Sequence, residues 1–157
     1  MQIQNMITRV NYDVRNLLVR EYSNAADNEI TMELKSRIAE MAEPLVAAMF
    51  MADEAVITDT MEGSSGFREK FEARGPVDSR GRSLRQLDLS SRLFRYPLSY
   101  LVYSPAFNAL PEVVKEIIFE RFRTILTAAN TSEAYTHLEN HDRLAILEIL
   151  EETHPDF

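Results

Sequence analysis

The sequence has no cysteine and no tryptophan, only four glycines and six prolines, and no long apolar run. Without cysteine there can be no disulfide scaffold, thiolate zinc site, c-type haem attachment or cysteine nucleophile. The compartment stays open, because a cysteine-free domain survives in oxidising and reducing places alike. Low glycine and proline exclude collagen-like and low-complexity chains, and 45% hydrophobic with 27% charged residues is a globular balance. No segment approaches the ~18 apolar residues of a membrane span. Residues 1–20 lack the basic start and apolar middle of a signal peptide, so a soluble domain without membrane insertion is expected. The sequences GxSxG, GxGxxG and GxxxxGK do not occur, and no carboxylate is singled out by an apolar setting. No catalytic motif results, and no cofactor is called for.

What is present is 157 residues, enough for one helical domain spanning 1–157 that buries roughly two-thirds of its unfolded surface. The amphipathic pattern begins at Ile3 and runs out at Glu152, which suits a domain cut from a longer chain, with any export signal then lying outside it, and equally a compact full-length protein. The net charge of −8 is unevenly placed. Residues 21–67 carry ten acids against Lys35 and Arg37, and residues 133–157 carry seven against Arg143. Residues 68–95 reverse the sign, with eight bases against Glu69, Glu72, Asp78 and Asp88. An acidic whole argues against nucleic acid as a general partner, since that binding depends on neutralising phosphate.

Ile3, Met6, Ile7, Val10, Val14, Leu17 and Leu18 recur at helical spacing, which predicts a long helix from residue 2 to about 24. Thr31 or Asn28 can cap a second helix with the stripe Leu34, Ile38, Met41, Leu45 and Met49, where Pro44 predicts a kink or restart. Residues 55–66 lose the period and read as a loop. Ser64 or Ser65 can cap a short helix on which Phe67 and Phe71 share a face, stopped by Gly75 and Pro76. Ser83 and Gln86 have capping-box spacing and predict another short helix carrying Leu84 and Leu87. Pro97 and Pro105 suit the first turns of helical pieces, and Pro111 opens a helix striped by Val114, Ile118, Phe122 and Ile125. A last helix from about Asn140 or Asp142 ends before Pro155, with Glu148, Glu151 and Glu152 as a solvated acidic end. The expected fold class is all-α, an irregular bundle of five to seven helices with no substantial sheet.

One stretch stands apart. "RLFRYPLSYLVYSPAF", residues 92–107, packs two Arg, three Tyr, two Phe and two Pro into sixteen positions. Tyr96, Tyr100 and Tyr103 fall at i, i+4, i+7, and the apolar side chains between them point almost all round. A helix apolar on all sides is normally core, its Tyr hydroxyls meeting buried partners. The sharper alternative is a small-molecule or anion site in segment 80–103, lined by Arg82, Arg85, Arg92, Arg95, Tyr96, Tyr100 and Tyr103. Guanidinium forks suit carboxylate and phosphate and also stack on rings. A third use is half of a protein interface, where Arg and Tyr are favoured anchors.

Glu133, His137 and His141 stand four apart, a metal-pair spacing if one helix carries them. Asn140 and Asp142 look like caps that end a helix between the two histidines, and Leu138 stands where a zinc protease has glutamate. No metal site is assigned, His137 and His141 being the nearest approach to one. "GSSG" at 63–66 lacks a following Lys and does not make a phosphate loop.

"GPVDSRGRSLRQLDLSSRLFRYPLSYLVYSPAFNALP", residues 75–111, with "DRLAILEIL" at 142–150 and "NMITRVNYDVRNLL" at 5–18, resembles the C-terminal region of a group of larger bacterial proteins of uncharacterised activity. The resemblance implies an accessory or interaction domain of exported, multi-domain proteins, and no catalytic residues. The expectation is a non-catalytic helical domain acting as a protein-interaction or structural module for another protein or the rest of a parent chain. A small-molecule or anion binder, enzymatic or not, is the alternative.

Overall fold

In the computed structural model, residues 2–24, 30–55, 57, 58, 66–127 and 133–157 are described, with backbone alone for Tyr22, Ser23 and Asn24. Helix α1 (Gln2–Asn24) buries Ile7, Val10, Val14 and Leu17, the face that the helical spacing marks. Helix α2 (Met32–Met49) starts at Thr31, whose hydroxyl accepts from the Leu34 N–H at 3.2 Å. It runs through Pro44 without the expected restart. Tertiary packing on both sides overrides the local cost of a missing N–H, since α2 lies between α1 and α5.

Helix α3 (Phe67–Glu72) is short, and its N-cap residue is Gly66 in the left-handed region at φ 62°. Ser64, Ser65 and most of the 55–66 loop lie outside the described residues. Helix α4 (Pro105–Asn108) has Pro105 in its first turn and the Ser104 hydroxyl as its cap. Helices α5 (Glu112–Thr127) and α6 (Asn140–Thr153) follow, and α5 packs between α2 and α6. The row α1, α2, α5, α6 encloses one core around the fully buried Phe50, Phe107, Phe119, Phe122 and Tyr135. Their rings meet edge-on or tilted at centroid distances of 5.0–6.0 Å. The fold is therefore all-α, and among the described residues no helix is long and apolar enough to cross a membrane.

Buried Arg143, near the start of α6, locks the end of α5 in place. Its guanidinium donates to the backbone carbonyls of Leu138 at 3.1 Å, Tyr135 at 2.8 Å and Ile125. Carbonyls in the last turn of a helix lack intrahelical partners, and an arginine fork supplies several donors at once.

Between α3 and the 3₁₀ turn Tyr100–Tyr103 the chain is irregular, and two expectations fail here. Ser83 and Gln86 do approach as in a capping box, with the Ser83 N–H donating to Gln86 Oε1 at 3.4 Å, but only a turn forms. The next N–H groups are claimed elsewhere: Leu87 donates to Glu72 Oε1 at 2.9 Å and Asp88 to the Leu93 carbonyl at 3.0 Å. A small hairpin results, with an antiparallel bridge between Leu87 and Phe94. Pro97 opens no helix either; the helical piece begins at Tyr100, capped by the Ser99 hydroxyl.

Candidate functional site

The charge reversal seen in the sequence is in part an internal complementarity. The basic irregular segment lies along the acidic side of α6. The N–H and hydroxyl of Ser79 donate to Glu152 at 2.7 and 3.0 Å, and Arg80 reaches Glu148 at 2.8 Å. Arg82 sits between Asp78 and Glu148, 2.7 Å from each. Glu148 and Glu152 thus hold the basic segment, while Glu151 and Glu152 remain exposed as their spacing predicts. Burial works to raise the Asp78 carboxyl, but the Arg82 backbone N–H and guanidinium and the Arg80 N–H outweigh it and hold it below the ordinary range. Arg92 makes a two-pronged pair with buried Asp142 at 2.8 Å on each prong and also donates to the Arg95 carbonyl.

Arg85 and Arg95 are placed differently. Arg85 lies over the ring of Tyr100 at 4.0 Å and that of Phe71 at 4.8 Å, and Arg95 lies 5.7 Å from the Tyr96 ring. Among the described residues neither is paired with a carboxylate. The three tyrosines also have different surroundings. Tyr96 is buried in the core, Tyr100 faces Phe71 and Phe94, and the Tyr103 hydroxyl meets Thr153 at 2.7 Å. A four-residue 3₁₀ turn in place of a continuous helix explains the divergence.

Around Tyr100 a second aromatic cluster forms outside the main core. Phe67 stacks on Phe71 at 5.6 Å, Phe71 meets Tyr100 edge-on at 5.3 Å, and Phe94 lies 5.8 Å from Tyr100 and 6.1 Å from Phe71. Glu72 and Arg68 position it. Both bond the backbone of Leu87, which fixes α3 against the hairpin and brings Phe71 beside Phe94. The cluster is not closed over: Phe67 is 63% exposed. Of these rings the sequence marks Tyr100 as a site residue and pairs Phe67 with Phe71 on one face, but nothing in the spacing places Phe71 on Tyr100.

The histidines do not share a helix. Glu133 lies in a 3₁₀ turn (Glu133–Tyr135), His137 in the turn after it, and His141 in the first turn of α6. His137 Nε2 is 2.7 Å from the Phe50 carbonyl, and His141 lies near Glu139 and Asp142. A cavity of about 190 Å³ is lined by His137, Arg92, Ser91, Glu54, Met51 and Pro97. A larger one, about 350 Å³, lies between α2 and α5 with Glu43 and Arg121 on its wall.

No protein-family model matches the chain, and no curated protein and no solved structure matches it at a significant level.

Proposed function

We propose that the protein is a non-catalytic interaction module that binds another protein, or another part of a longer chain, through the face formed by Phe67, Phe71, Phe94, Tyr100 and Arg85. The observation that carries this reading is the half-open ring cluster with a guanidinium laid across it. Rigid aromatics and arginine supply most of the energy at protein interfaces, and a contiguous exposed apolar patch on a folded domain marks a contact surface. Charge selects the partner. The face belongs to the most arginine-rich region of an acidic chain, with Lys70, Arg74 and Arg95 exposed in the same region. It suits a protein surface that offers an apolar side chain ringed by carboxylates.

The test places p-benzoylphenylalanine at Phe67 and, as a control, at the equally exposed Tyr12, in cells that make the natural partner. A discrete adduct is expected from position 67 alone, and Arg85→Ala, confirmed to be folded by its melting curve, should abolish it. Equal labelling at both positions, or labelling indifferent to Arg85, would sink the reading.

A second reading keeps segment 80–103 as an anion site. It is favoured by Arg85 and Arg95, which have ring contacts and no carboxylate partner among the described residues. It predicts a rise in melting temperature with citrate, phosphate or nucleotides that disappears in Arg95→Ala.

A further inference from the structure

The 3₁₀ turn that carries Tyr100 on its outer side is bolted from the inner side by one histidine. His154 follows α6, is only 5% exposed, and lies with its ring stacked on Tyr103 at 5.5 Å and edge-on to Phe119 at 4.9 Å. The Asp156 N–H donates to His154 Nδ1 at 3.2 Å, and Nε2 faces the Val102 carbonyl at 3.3 Å. These two contacts fix the neutral tautomer: Nδ1 accepts, so the proton is on Nε2 and is donated to Val102. Beside the ring, the Tyr103 hydroxyl bonds Thr153, so the junction of α6 and the turn Tyr100–Tyr103 is held at two points.

We infer that His154 is an acid-sensitive bolt: a proton added at Nδ1 sets N–H against the Asp156 N–H, unseats the turn His154–Phe157, and loosens the 3₁₀ turn that presents Tyr100 on the aromatic face. Charged groups around the ring bear on this from every side. On α5, Lys115 lies nearby, 10% exposed, and repels an imidazolium; it is held by Glu112 at 2.9 Å and Asp156 at 3.1 Å. On the tail, Asp156 attracts the imidazolium, but its carboxylate is already engaged by Lys115. From the 3₁₀ turn, Tyr103 offers a neutral phenol, itself pushed up by burial with Asp78 nearby, and the Val102 carbonyl favours the Nε2–H in either state. Burial outweighs the attractive groups, and the ring's pKa is lowered from its ordinary value.

A lowered histidine favours the folded state fully above the unfolded pKa, near 6.5, and that contribution is lost as the pH falls towards the folded pKa. Acid therefore loosens the turn. The effect on partner binding rests on the function proposed above for the face; the loosening itself does not.

The experiment is amide hydrogen exchange on the whole chain at pH 7.5 and 5, corrected for intrinsic exchange, with an NMR titration of the His154 ring. Protection at Val102, Ser104 and Phe157 should fall on the order of tenfold at the lower pH, while Ile38 and Leu45 in α2 hold theirs. The ring should titrate below 6.5, and Lys115→Met should move its midpoint upward by removing the neighbouring cation. His154→Gln, which can still donate to Val102, should make the loss independent of pH. A ring midpoint at or above 6.5, or the same pH dependence in His154→Gln, overturns the inference. Should the Gln variant fail to fold, the wild-type titration still decides. Loosening without any change in cross-linking at position 67 would leave the bolt standing and count against the proposed face.

Discussion

Arg92 and Asp142, fifty residues apart in sequence, meet through two parallel hydrogen bonds of 2.8 Å each. The carboxylate is 3% exposed and the guanidinium 26%, so the two ends of this pair are unequal. Removing the arginine leaves a buried charge with only the exposed His141 ring, 3.4 Å away, beside it, whereas removing the aspartate leaves a cation that can reach water. Arg92→Ala should therefore cost about 3 kcal/mol and Asp142→Ala clearly less. The joint replacement Arg92→Met with Asp142→Leu should recover much of the loss. Urea unfolding of the three variants checks this, and equal losses from the two alanine variants would contradict the asymmetry.

The same pair shows what the sequence could and could not reveal. The helices were legible because their apolar residues repeat at 3.6, as in α1 and α5, and because Thr31, Ser104 and Pro105 mark starts by local chemistry. The short helices expected at Ser83–Leu87 and after Pro97 do not form, because the structure there is set at long range. Glu72 captures the Leu87 N–H, Glu152 captures Ser79, and Asp142 captures Arg92. Composition found the arginines, but no spacing rule distinguishes Arg92, which meets a carboxylate, from Arg85, which meets two rings.

Leu89, at the hairpin tip, has φ 64°, a region costly for a side chain with a β-carbon. Glycine there should be more stable than alanine by about 1 kcal/mol, the reverse of the usual order in regular structure. Thermal melts of Leu89→Gly and Leu89→Ala decide it, and alanine as the more stable of the two would refute the strain.

Asp88 holds the same tip. Hydroxyl hydrogen bonds from Ser90 at 2.6 Å and Ser91 at 2.7 Å bring its carboxyl down to about 2 from an ordinary 3.8. A depressed carboxyl contributes stability above the unfolded pKa and loses it as the pH falls through the folded one. This contribution should vanish between about pH 4 and 2. Ser90→Ala with Ser91→Ala should flatten the acid limb of the stability curve over that window. An unchanged limb would show that the hydroxyls do not hold the carboxylate.

Gly75 matters for a reason unrelated to its backbone angle. A β-carbon there would stand 2.8 Å from Ser83 Oγ and 2.9 Å from Arg85 Cδ. Ser83 is buried and has little room to yield, while Arg85 can move only by leaving its place over Tyr100 and Phe71. Gly75→Ala should cost about 1–2 kcal/mol through overpacking and should shift the Tyr100 ring signals in an NMR spectrum. A change in stability with Tyr100 undisturbed would mean that the strain is relieved at Ser83 instead.

Glu43 of α2 joins Arg121 of α5 and Tyr135 of the following 3₁₀ turn. The guanidinium donates at 2.9 and 3.0 Å and the phenol at 2.9 Å. Burial, and after it the Glu43 carboxylate, hold the Tyr135 phenol well above its ordinary value, while Arg121 acts the other way. A raised phenol contributes stability below the unfolded pKa, near 10, and loses it as the pH rises towards the folded one. Alkaline unfolding should therefore be steeper in the wild type than in Tyr135→Phe, which keeps the ring against Phe50 and lacks only the hydroxyl. At neutral pH the substitution should cost about 1.5–3 kcal/mol, the worth of a hydrogen bond to a charged acceptor. Absorbance titration supplies the direct check. Tyr135 and Tyr103 should ionise late, and the late phase should shrink in Tyr135→Phe. An identical late phase in the variant would place the perturbed phenol elsewhere and dissolve the link that joins α2, α5 and the turn at Tyr135.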